Sequence, residues 1–147
     1  MGRWRRVFTL PATDRRLLVE AGARLVLAWC FLRILPFKRI VASLGHRAGK
    51  SGAGLQVGIC RVGWAVETAA RHLPMSLTCL PQALAASWML RARGFAPCMY
   101  YGVATTTSGS FESHAWVELD GMPVVGYRVA NRFTLLSTFP ATREGSE

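Results

Sequence analysis

The chain lacks any run apolar enough to cross a bilayer. The longest strictly apolar stretch near its start, Leu25 to Leu32, is bracketed by Arg24 and Arg33, whereas a membrane span needs about 20 residues. A secretory signal is missing as well. Arg3, Arg5 and Arg6 make a basic start, but Asp14, Arg15, Arg16 and Glu20 interrupt it before the apolar run, and no small-residue cleavage site follows cleanly. Both absences point to a cytoplasmic protein. The four cysteines, Cys30, Cys60, Cys79 and Cys98, show no C-x-x-C spacing and have no paired histidines, which argues against zinc and leaves the metal assignment at none. A disulfide framework does not suit a cytoplasmic chain of this size. Cys30, Cys60 and Cys98 read most simply as small buried hydrophobes. There is no internal repeat and no low-complexity tract.

Acids are scarce and unevenly placed. Residues 1–50 hold eleven Lys or Arg against two acids, while residues 51–147 hold seven against six. The net charge of +10 therefore belongs almost wholly to the first third. Anionic lipid, nucleic acid, or an acidic peptide or protein would each complement such a surface, and a solvated basic face is the plain alternative. Aromatic–basic interleaving and a helix-turn-helix pattern are both missing, so a non-catalytic module that binds nucleic acid is disfavoured.

What is present is enough for one domain. Half of the 147 residues are hydrophobic (51%), sufficient for a modest core. A helix from Asp14 to about Leu35, capped by Thr13 or Asp14, presents Leu17, Leu18, Ala21, Leu25, Ala28, Trp29 and Leu32 on an apolar face and stops at Pro36. A short helix over 37–45 and a Gly-rich connection over 45–54 follow. A helix over 55–72 offers Val57, Cys60, Val62, Trp64, Ala65, Thr68 and Ala69 for packing, and Pro74 breaks it. Thr78 caps the next helix, Pro81 suits its first turn, and Gly94 ends it; Ala83, Leu84, Ser87, Trp88 and Leu90 form its buried side. Strands are expected over 97–104, 112–119, 122–129 and 132–139, with Asp120-Gly121 as a tight hairpin turn. Helices first and antiparallel strands after give an α+β fold. The organisation reads as a basic helical region over 1–54 and a core over 55–147, compact as one domain.

Two residues carry the chemistry. Cys79 stands where a loop runs into a helix, and unpaired N–H groups at a helix start favour negative charge on a thiol. His114 lies 35 residues later on a strand. A thiolate nucleophile with an imidazole to take and return its proton is the minimal kit of a cysteine hydrolase. Trp116 and Glu118 share the strand face of His114. His46, in the Gly-rich stretch, and His72, at a helix end beside Arg71, are set aside as catalytic candidates.

Several blocks resemble one family. Thr78-Cys79-Leu80-Pro81-Gln82-Ala83-Leu84-Ala85, Leu90-Arg91-Ala92-Arg93-Gly94, Tyr101-Gly102-Val103 and His114-Ala115-Trp116-Val117-Glu118-Leu119-Asp120-Gly121-Met122-Pro123-Val124 are similar to the leader peptidases of lasso-peptide biosynthesis. These are transglutaminase-like cysteine proteases of papain-like architecture, with a catalytic helix packed on an antiparallel sheet. The match is closest over 74–139, and Leu32 to Arg39 resembles the helical leader region of these proteins. The resemblance implies Cys79 as nucleophile and His114 as general base and acid, with no cofactor. It implies a precursor peptide as substrate, and as partners a separate leader-recognition protein and possibly the ATP-dependent lasso cyclase. An amidase or acyl transferase of the same superfamily is the alternative.

The family usually sets an Asp about a dozen residues after the His to orient the ring; Gly126 stands there. A two-residue turn at Asp120-Gly121 is expected to place Gly126 and Tyr127 opposite Ala115 and His114. Glu118 lies ~13 Å from His114 along the strand and Glu112 ~7 Å. Asp120 is explained by its turn. Glu112, Asn131 or a backbone carbonyl is left to hold the imidazole.

Overall fold

A computed structural model describes residues 9–45, 49 and 56–140. Among the described residues, four α-helices precede a four-stranded sheet: α1 (Ala12–Ile34), α2 (Phe37–Ala42), α3 (Gln56–His72), α4 (Cys79–Ala92), β1 (Cys98–Thr105), β2 (Phe111–Leu119), β3 (Met122–Val125) and β4 (Thr134–Phe139), with a 3-10 helix (Tyr127–Arg132) before β4. The sheet is antiparallel in the order β3-β2-β1-β4. This is the α+β, papain-like arrangement expected from the sequence.

The helices pack in a layer against one sheet face. Leu18, Ala21, Leu25 and Ala28 of α1 meet Ile59, Val62, Ala65 and Val66 of α3 and Leu84, Met89 and Leu90 of α4 in one core with Met99, Ala115, Val117 and Leu119 of the sheet. α4 is the central element: eight of its fourteen residues are buried, so it is apolar nearly all round, as a helix enclosed on every side must be. Ion pairs join α1 to its neighbours, Asp14 with Arg61 of α3 and Glu20 with Arg93 after α4. Gly63 lets α3 lie against β3. A Cβ there would sit 2.1 Å from the Val124 carbonyl oxygen, so only glycine admits this approach.

Several sequence expectations need correction. α1 starts at Ala12 behind Pro11, and neither Thr13 nor Asp14 caps it; the Asp14 carboxylate is turned to Arg61 instead. Thr78 occupies the N-cap position of α4 with an extended backbone, but its side chain makes no capping hydrogen bond. On α3, Val57 and Cys60 are exposed and Trp64 is half-exposed, because sheet and helices cover only the face that carries Val62, Ala65 and Ala69. Cys30 and Cys98 are half-buried and Cys60 exposed, so none of the three is a core residue. β3 stops at Val125 rather than 129. A bulge pairs Val117 with Val125, and Gly126 then turns the chain at φ 76° into the 3-10 helix. The rungs foreseen between Gly126 and Ala115 and between Tyr127 and His114 do not form. Most of the Gly-rich connection, including His46, lies outside the described residues.

Candidate active site

The early end of β3 creates the site. β3 covers β2 only as far as Val117, so the stretch of β2 with Ser113 and His114 forms an open rim. The start of α4 faces that rim. Cys79 is the first helical residue, and its Sγ lies 3.9 Å from the Ser113 carbonyl oxygen, one residue from His114. Cys79 and His114 line one cleft of about 550 Å³, together with Glu67, Ala70 and Arg71 of α3, Leu77, Gln82, Val125 and Gly126. Both side chains are half-buried, neither sealed in the core nor fully in solvent.

The imidazole is held on three sides. Its Nε2 is 2.6 Å from the Gly126 carbonyl oxygen. A carbonyl only accepts, so this bond places the proton on Nε2 and leaves Nδ1 for another partner. Phe133 stacks on the ring at 5.0 Å between centroids, and Trp116 lies parallel at 6.1 Å. Trp116 in turn stacks on Tyr100 at 5.6 Å. Gly102 leaves room for this aromatic layer, since a Cβ there would come within 3.2 Å of the Trp116 ring. Burial of the phenol raises the Tyr100 pKa above its ordinary value, with smaller contributions from Cys98 and Glu118. Tyr100 therefore stays neutral beside the site at physiological pH.

The position expected to hold an orienting Asp thus acts through its backbone. Gly126 is required there: its φ is 76°, and a Cβ would lie 2.7 Å from the Ala115 carbonyl oxygen and 3.3 Å from His114 Nε2. Glu112 and Asn131, weighed as ring partners from the sequence, are both exposed and neither bonds the imidazole. The charge of Glu118 contributes to raising the Tyr100 pKa, and no hydrogen bond joins Glu118 to the imidazole. His72 is also engaged elsewhere; its Nδ1 lies 2.8 Å from the Thr68 carbonyl oxygen.

Sequence reasoning missed several cleft residues. Gln82, one turn after Cys79, donates from Nε2 to the Leu77 carbonyl oxygen at 2.9 Å and pins the loop that leads into Cys79. Its position three residues after Cys79 is the signal that finds it. Glu67, Arg71 and Phe133 come from distant segments, and no local pattern marks them.

This geometry can support acyl chemistry. The N–H groups of the first turn of α4 have no helical partner. A carbonyl oxygen beside Cys79 Sγ would find donors there, as an oxyanion requires. No curated protein and no solved structure matches the chain. A family model described as the transglutaminase-like superfamily matches residues 23–138, a span that takes in most of α1, the Cys79 helix, the His114 strand and nearly all of β4, and the chain belongs to that superfamily of mostly cysteine-dependent enzymes.

Proposed function

We propose that this protein is a cysteine peptidase that removes the leader from a ribosomally made lasso-peptide precursor, with Cys79 as nucleophile and His114 as general base and acid. The observation that carries the reading is the shared cleft. A thiol at a helix start and an imidazole with Nε2 already tied to Gly126 line the same wall-to-wall space. The resemblance of the Cys79 and His114 blocks to leader peptidases supplies the substrate class.

The reaction runs in two halves. His114 Nδ1 takes the Cys79 proton, and the thiolate attacks the carbonyl carbon between leader and core. The oxyanion is met by N–H groups of the first turn of α4. His114 returns the proton to the leaving amine, which departs as the new core N-terminus, and the leader remains as a thioester on Sγ. Water then gives a proton to His114 and its oxygen to the thioester carbonyl. The leader leaves with a free carboxylate, and Cys79 regains its proton. No metal or organic cofactor enters these steps. The precursor is bound with a separate recognition protein, and the freed core passes to the cyclase.

Mass spectrometry of a precursor incubated with the full chain and the recognition protein tests this reading. Free leader acid and free core amine are expected, and both vanish in Cys79→Ala and His114→Ala of unchanged fold. Leader release that persists in Cys79→Ala refutes the assignment. The amidase or acyl-transferase alternative shares the first half-reaction and differs in product: a new amide or isopeptide mass in place of the leader acid would establish it.

A further inference from the structure

We propose that the outer face of α1 is a docking surface for an anionic lipid membrane. Helix α1 has two apolar faces. The inner one is the core described above. The outer one carries Val19, Ala23, Val26, Leu27, Cys30 and Ile34, which fall within one stripe at helical spacing. Val19 is 73% and Ile34 77% exposed, and the stripe runs about 22 Å along the helix. No other described element covers it.

The charges around the stripe are mostly of one sign. Arg15 and Arg16 stand exposed at its start and Arg33 at its end, with Lys38 and Arg39 exposed on α2 just beyond. Both acids of α1 are engaged in ion pairs, Asp14 with Arg61 and Glu20 with Arg93; Glu20 borders the stripe beside Val19 with its charge offset by Arg93. Arg33 lies 4.1 Å over the Trp29 ring, a cation and an indole side by side as at a headgroup boundary. The eleven residues that precede α1 in the sequence include Arg3, Trp4, Arg5, Arg6 and Phe8.

These features choose among occupants. A second copy is disfavoured, because either alignment of two such helices sets guanidinium against guanidinium. An acidic protein would meet a stripe that offers no amide or hydroxyl between its terminal cations, whereas a protein interface of ordinary size carries about ten hydrogen bonds. A lipid surface needs none: it takes aliphatic side chains at the acyl boundary and cations at its phosphates. Since α1 packs on α3 and α4, it lies on the membrane as part of the folded domain and does not span it.

Co-sedimentation of the full chain with vesicles tests the proposal, without reference to Cys79 or any peptide substrate. Binding is expected to vesicles of phosphatidylcholine mixed with phosphatidylglycerol, and not to phosphatidylcholine alone, and to weaken as salt rises. Each of Arg15→Gln, Arg16→Gln and Arg33→Gln should cost about fivefold in affinity. Val19→Gln with Ile34→Gln should weaken binding at every salt concentration, and circular dichroism should show that all these exposed substitutions leave the fold intact. Equal binding to neutral vesicles, failure to bind the mixed ones, or variants that bind like the unaltered chain overturn the proposal. Retention on poly-glutamate with no vesicle binding also overturns it and assigns the face to an acidic polypeptide.

Discussion

Replacing Gly126 by alanine should damage the site in a calculable way. The residue sits at φ 76°, which costs an L-residue about 1–2 kcal/mol. The new Cβ would lie 2.7 Å from the Ala115 carbonyl oxygen, a backbone atom that cannot swing aside. Relief of that overlap costs a further ~1–3 kcal/mol and moves the Gly126 carbonyl off His114. The lost bond is one from an imidazole that becomes cationic in the proposed reaction, worth about 1.5–3 kcal/mol. At 1.36 kcal/mol per decade this predicts a fall in turnover of roughly 10- to 150-fold. Initial rates of leader release, read at a temperature where thermal melts show both proteins folded, provide the assay. Gly121→Ala is the control. Gly121 has the same φ of 76°, but nothing lies within 4 Å of its Cβ position, so that variant should lose stability and keep its rate. A Gly126→Ala protein that is folded and cleaves at the unaltered rate refutes the positioning role, as does an equal rate loss in Gly121→Ala.

Other substitutions probe the frame that holds the cleft. Gly63→Ala should destabilise by about 2 kcal/mol despite a helix-propensity gain near 1, because its Cβ would meet the Val124 carbonyl oxygen at 2.1 Å; a raised urea midpoint would contradict the close approach of α3 to β3. Ser87 is buried in α4, and among the described residues its Oγ has no hydrogen-bond partner, so Ser87→Ala should stabilise by on the order of 1 kcal/mol. Calorimetry should show the midpoint rising by roughly 2–4 °C, and a fall would reveal a bond to that hydroxyl. Glu20→Gln should cost about 0.5–1 kcal/mol near neutral pH, the ordinary worth of a surface pair. The Arg93 hydrogen bonds lower the Glu20 pKa against the opposing effect of burial. A lowered folded-state pKa means stability that is present above the unfolded value of about 4.3 and lost as pH falls through the carboxylate range. Urea melts of the two proteins should therefore converge in acid, and a difference that persists there would rule out the ion pair as its source.

The fold was largely legible because its punctuation is local. Pro36, Pro74 and Gly94 end helices, and Asp120-Gly121 closes a hairpin, whatever surrounds them. The third strand was misread for the opposite reason. Residues 122–129 are rich in Val and Tyr, as strands are, but a bulge at Val117 and the left-handed Gly126 end the ladder at Val125. Periodicity showed which residues of α3 are apolar, and could not show that only one face is covered, so Val57 and Trp64 were counted as packing residues. At the site, Cys79 and His114 stood out through residue type and element context. The ring's partner did not, because Gly126 acts through a carbonyl that every residue has. Glu67, Arg71 and Phe133 enter the cleft or stack on the ring only through tertiary contact.

Peptide-mapped alkylation of the four cysteines tests most directly whether Cys79 and His114 work as a pair. Cys60 is exposed, whereas Cys79 is half-buried, so accessibility alone predicts faster modification of Cys60 by iodoacetamide. Activation of the thiol by His114 predicts the reverse, with Cys79 modified about tenfold faster than Cys60 near neutral pH and that advantage gone in His114→Ala. A Cys79 that reacts no faster than Cys60, or equally fast with and without the imidazole, would contradict the pairing.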